Sequence, residues 1–96
     1  MRSEARQRAR EEREAERRVQ EAFDRYLDYT VERLMGIGIE PETATEAVFN
    51  AVTMLAEMGE LPPFPCGNVS YQVMGKWLVA AADLGFTEFM VEAASE

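Results

Sequence analysis

The sequence predicts an all-α protein: a small four-helix domain with a long charged N-terminal helix extending from it. Three observations predict this. Apolar residues recur at helical spacing in three separate segments. Glycine and proline fall between those segments, where helices stop and start. No stretch shows the apolar–polar alternation of a half-buried strand.

The arm from Arg2 to about Arg18 and the stretch that follows from Val19 are expected to form a single helix. Up to Arg18 its only apolar residues are Ala5, Ala9 and Ala15. Opposite charges sit four apart in Glu4–Arg8, Arg8–Glu12, Arg10–Glu14 and Glu14–Arg18, and each pair can add about 0.2–0.5 kcal/mol to a helix. This arm has no apolar seam and is not a self-sufficient coiled coil. From Val19 the pattern changes. Val19, Phe23, Tyr26, Leu27, Thr30, Val31 and Leu34 gather on one face, and Glu21, Asp24, Asp28 and Glu32 on the opposite one. Gly36 and Gly38 end the helix.

Helix two is expected to open at Pro41, a favourable first-turn residue, among Glu40, Glu42 and Glu46, whose charges suit a helix N-terminus. Ala44, Ala47, Val48, Ala51, Val52, Leu55 and Met58 form its apolar stripe, and Gly59 is its stop. The connector from Leu61 to Asn68 carries three prolines in four positions, which keeps it extended. Helix three is expected from about Val69 to Leu84, capped by Asn68 or Ser70. It is apolar nearly all round, through Tyr71, Met74, Trp77, Leu78, Ala81 and Leu84, which predicts the central position. After Gly85, Thr87 is read as the cap of a last helix, Glu88 to about Ala94, that turns Phe89, Met90 and Ala93 inward.

Composition narrows the function. Ninety-six residues make one domain, divided here into an arm at 1–18 and an acidic body at 19–96. No apolar run is long enough to span a membrane. The N-terminus reads neither as a signal peptide nor as a mitochondrial presequence, so a cytoplasmic setting is expected. There is no His, and Cys66 is the only cysteine, which removes the commonest acid–base group, the commonest metal ligand and any internal disulfide. Neither an enzyme, nor a metal, nor a cofactor is expected. Cys66 has no base or cation beside it in the sequence and reads as an incidental thiol. Pro62-Pro63-Phe64-Pro65 lacks a flanking basic residue and reads as a rigid strap with Phe64 plugging the core. Trp77 with its Met and aromatic neighbours reads as core.

Charge is the sharpest signal. The arm holds seven Arg and five Glu, net +2, whereas the rest of the chain holds three basic and thirteen acidic residues, net −10. The candidate partner-binding residues follow from that asymmetry. Glu21, Asp24, Asp28 and Glu32 form an acidic row on the first helix, and Glu40, Glu42 and Glu46 a second cluster. Arg6, Arg10, Arg13 and Arg17 share a face of the arm, and Tyr29 and Phe49 fall off the apolar stripes as exposed aromatic anchors. Unbroken rows of like charge cost helix stability, so the acidic row is either a solvated face or a docking surface for a basic partner.

The function expected is therefore a non-enzymatic protein-interaction module, an inhibitor or adaptor whose acidic surface binds a basic site on a larger, nucleic-acid-handling protein. In composition the chain resembles small accessory proteins of phages and mobile elements, of which an anti-CRISPR protein is one instance; no motif carries the resemblance. The alternative is a helical homo-oligomer with a structural or assembly role, joined through the charged arm. A weak DNA binder using the Arg-rich arm comes third, because the interleaved Glu and the acidic body oppose phosphate.

Overall fold

A computed structural model describes the backbone of residues 2–95 and the side chains of residues 4–95. The described residues form four helices: α1 (Arg2–Gly36), α2 (Pro41–Glu57), α3 (Tyr71–Leu84) and α4 (Phe86–Ser95). No strand is present among them. The fold is all-α, as predicted.

Three helix ends are closed by glycine in the left-handed conformation: Gly38 after α1, Gly59 after α2 and Gly85 after α3. After α1, Gly38 has φ +98°, its N–H bonds Met35 O, and the Ile39 N–H reaches back to Leu34 O. After α2, Gly59 has φ +79°, its N–H bonds Ala56 O, and the Glu60 N–H reaches Leu55 O. This pattern satisfies carbonyls that the helix leaves unpaired. Ser70 caps α3, its Oγ accepting from the Val73 N–H at 3.4 Å.

The central helix is α1, not α3. It packs against all three others, and α3 packs also against α4. The apolar circumference of α3 buries only Trp77 and Ala81 fully, while Val73 and Val79 face outward and Leu84 is partly exposed. The thirty-five residues of α1 give it enough side to serve three neighbours, and an apolar surface does not by itself recruit partners. The core comprises Phe23 and Leu34 from α1, Ala44, Val48, Ala51, Val52 and Leu55 from α2, Leu61, Trp77 and Ala81, and Phe86 and Met90 from α4. Met58, expected in the α2 stripe, is 64% exposed, because the helix ends before it.

The start of α4 also differs from expectation. The helix begins at Phe86, which is fully buried, and Thr87 caps nothing. Its hydroxyl lies 2.7 Å from Thr30 Oγ1 across the core. Thr30 spends its own proton on Tyr26 O at 2.9 Å, so Thr87 is the donor between the two threonines. The earlier start rotates the helix, so Met90 points inward while Phe89 and Ala93 are exposed.

The N-terminal part of α1 projects from this body. Residues 4–14 are all exposed, and Ala15 and Val19 are the first to be partly covered. The long dimension of the molecule is 59 Å, against 27 and 22 Å for the others. The radius of gyration is 16.1 Å, well above the roughly 12.5 Å of a compact chain of this length. None of the four ion pairs expected along the arm closes; among the described residues the closed pairs are Arg17–Glu21 at 3.9 Å and Arg33–Glu88 at 3.7 Å. The side chain of Arg2, counted in the arm, lies outside the described residues.

Candidate functional site

Where α1 and α2 run side by side, a groove of about 280 Å³ opens between them. Leu27 and Val31 of α1 and Val48 of α2 form its apolar floor. Phe49 of α2 stands as one wall, 45% exposed. Asp28 and Glu32 of α1 and Thr45 of α2 complete the lining, and no basic side chain is part of it. Thr45 spends its proton on Pro41 O at 2.8 Å, so its hydroxyl lends the groove an acceptor.

More acid lies next door. Thr45 also borders a shallow depression with Pro41, Glu42 and Glu46. Two carboxylates, Asp28 and Glu32, thus line the apolar trough, and two more, Glu42 and Glu46, line the depression that adjoins it at Thr45; all four are exposed. Glu21 and Asp24 continue the α1 row towards the arm, and Glu40 precedes α2; these three are also exposed.

The acidic row lies across α1 from the buried Phe23, Thr30 and Leu34, as the sequence suggested, but Asp28 comes close to the partly buried edge of the apolar stripe. A helix turns about 100° per residue, which leaves Asp28 only about 60° from Val31. The two carboxylates therefore rim an apolar surface. A low-dielectric wall beside a carboxylate strengthens its field towards an incoming cation.

Phe49 is held firmly for an exposed residue. Its ring meets Phe64 edge-on, with centroids 5.4 Å apart. Phe64 in turn meets Trp77 at 5.7 Å and Phe23 at 5.5 Å. Trp77 contacts Phe23 at 5.3 Å, Tyr26 at 6.2 Å and Phe86 at 6.3 Å. A continuous aromatic cluster therefore runs from the groove wall into the core. The proline strap makes this possible by holding Phe64 between Phe49 and Trp77, as its stiffness suggested.

The structure separates the other aromatic candidate. Tyr29 is 47% exposed but lies on another flank of α1, in a shallow depression with Ala22, Arg25 and Tyr26. Arg33 donates to its hydroxyl at 3.3 Å and also lies beside its ring, 6.0 Å from the centroid. Tyr29 is thus occupied by an intramolecular cation, whereas Phe49 is open. The arginines Arg6, Arg10, Arg13 and Arg17 are all exposed on the arm, remote from the groove of their own chain.

Among the described residues no group of three or more His, Cys, Asp or Glu side chains is placed to hold a metal ion. No described helix is long and apolar enough to cross a membrane. Cys66 is exposed in the strap. What sequence reasoning missed were Leu27, Val31, Thr45 and Val48 as groove lining. Leu27 and Val31 were visible as core, but their partial exposure depends on how α2 is rotated against α1.

No family model, no curated protein and no solved structure matches this chain.

Proposed function

We propose that this chain is a non-catalytic protein-interaction module, an inhibitor or adaptor, whose α1–α2 groove takes a basic amphipathic helix from its partner. One observation carries the reading: an apolar trough with an aromatic wall is lined by two carboxylates and no cation, and adjoins a depression lined by two more carboxylates. Arg side chains suit it best, since their stems can cover Leu27, Val31 and Phe49 while the guanidinium groups reach Asp28 and Glu32. A helix of that kind in a nucleic-acid-handling protein ordinarily meets phosphate, so capturing it in the cytoplasm would inhibit that protein; an anti-CRISPR action is one form of such inhibition.

The test uses a synthetic amphipathic peptide helix with Arg at 3–4 spacing and Leu between. Methyl signals of Leu27, Val31 and Val48 should shift on titration. Phe49→Ala should weaken binding about tenfold, the scale of an interface anchor, and Tyr29→Ala should leave it unchanged. Shifts confined to other surfaces, or a Phe49→Ala variant that binds as tightly as the wild type, would overturn the groove as the site.

A further inference from the structure

We infer that the basic helix fitting this groove is the arm of a second copy: α1 pairs antiparallel with α1 of another chain, about a twofold axis near Val19. The inference rests on the groove reading and names its occupant.

The argument is the order of charges along one side of one helix. Arg6, Arg10, Arg13 and Arg17 share a side of α1, and all are exposed. Glu21, Asp24, Asp28 and Glu32 continue the same side beyond Val19, and all are exposed. Reversed, the second set matches the first. Arg6 falls opposite Glu32, Arg10 opposite Asp28, Arg13 opposite Asp24 and Arg17 opposite Glu21, each pair centred within half a residue of position 19. A twofold axis repeats every pair, as in any isologous interface. Parallel pairing in the same register would set like charges together instead.

The chain cannot satisfy itself. Helix α1 is unbroken from Arg2 to Gly36, so its arm cannot fold back on its own groove. From Val19 to Arg6 is thirteen residues, as is Val19 to Glu32, about 20 Å of helix each. The arm of a second copy thus reaches the groove, bringing Arg6 and Arg10 to Asp28, Glu32 and the adjoining Phe49. At the axis, the intrachain pair Arg17–Glu21 would meet its own copy in a four-charge cluster.

The test is charge exchange in the full chain. Wild type should run at twice its 10.9 kDa mass in about 20 mM salt and at the single mass in about 500 mM salt, where exposed charges are screened within a few ångströms. The arm variant Arg6→Glu/Arg10→Glu/Arg13→Glu should lose dimer affinity about a hundredfold or more, and so should the body variant Asp24→Arg/Asp28→Arg/Glu32→Arg. An equimolar mixture of the two should recover the doubled mass, because each arm then faces a body of opposite sign. For register, Arg6→Glu should be rescued by Glu32→Arg and not by Glu21→Arg. All these positions are exposed, and circular dichroism will verify that each variant keeps its helicity. A wild type that stays at 10.9 kDa in low salt, or a mixture that stays unassociated, overturns the pairing. If the synthetic Arg peptide still shifts the groove methyls in that case, the groove reading survives and only the second copy is excluded.

Discussion

The buried threonine pair offers a sharp test of how α4 is held. Thr30 is fully buried and Thr87 is 7% exposed, and one proton orders their bond: Thr87 donates to Thr30, which donates to Tyr26 O. The two threonines should therefore respond unequally to replacement by valine, which keeps shape and branching. Thr87→Val removes a donor and leaves Thr30 still bonded to Tyr26 O. The loss is one net hydrogen bond, about 0.5–1.5 kcal/mol. Thr30→Val removes the acceptor and leaves the Thr87 O–H buried without a partner, at about 1–3 kcal/mol. The double variant has no orphan, so it should cost less than the sum of the two single changes and resemble Thr87→Val. Urea denaturation followed by far-ultraviolet circular dichroism measures all three, in high salt so that association does not add to stability. For a domain of this size each kcal/mol should appear as about 4–8 °C in melting temperature. A Thr30→Val variant no less stable than Thr87→Val, or a strictly additive double variant, would refute the assigned direction of the bond.

Two further outcomes are expected. Removing residues 1–17 should leave a folded body with a nearly unchanged melting temperature in high salt, because residues 4–14 are all exposed and exposed ion pairs contribute little; a molten product would show that the arm supports the core. Trp77→Ala should cost about 3–5 kcal/mol by chemical denaturation, whereas Trp77→Phe should cost much less, since it also removes an indole N–H that is buried without an acceptor; equal losses from both would refute that account.

The sequence makes most of the helix boundaries legible because glycine and proline act locally. Gly38, Pro41, Gly59 and Gly85 each mark a change the backbone must make whatever surrounds it. Errors arose where a residue had a local and a distant use. Thr87 looks like a cap beside Glu88, yet it serves a hydroxyl fifty-seven positions away. The apolar surface of α3 looks central, yet α1 takes that place because it alone is long enough to meet three helices. The candidate site was half legible. Phe49 and the acidic residues stand out by lying off the apolar stripes, while the groove between them depends on the relative rotation of two helices, which no single-helix pattern contains.

The arm raises a physical question: why a segment with only three alanines and, among the described residues, no closed ion pair before Arg17 is helical at all. The answer lies in its continuity with the docked half of α1. Starting a helix is the costly step, and extending one is nearly neutral for Arg, Glu and Ala. The core, through Phe23 and Leu34, fixes the first turns, and the arm grows from them towards the N-terminus. Because its helix does not depend on tight intrahelical salt bridges, its guanidinium groups remain available to carboxylates outside the chain. The groove is prepared in the same sense, since Phe49 is fixed through Phe64 to Trp77. Two surfaces already ordered before they meet lose little conformational freedom on meeting, and that loss is what ordinarily defeats exposed charge pairs. The same continuity makes the interaction adjustable: one proline near Ala15 would break the arm from its nucleus and leave the groove intact, separating what the arm does from what the groove does.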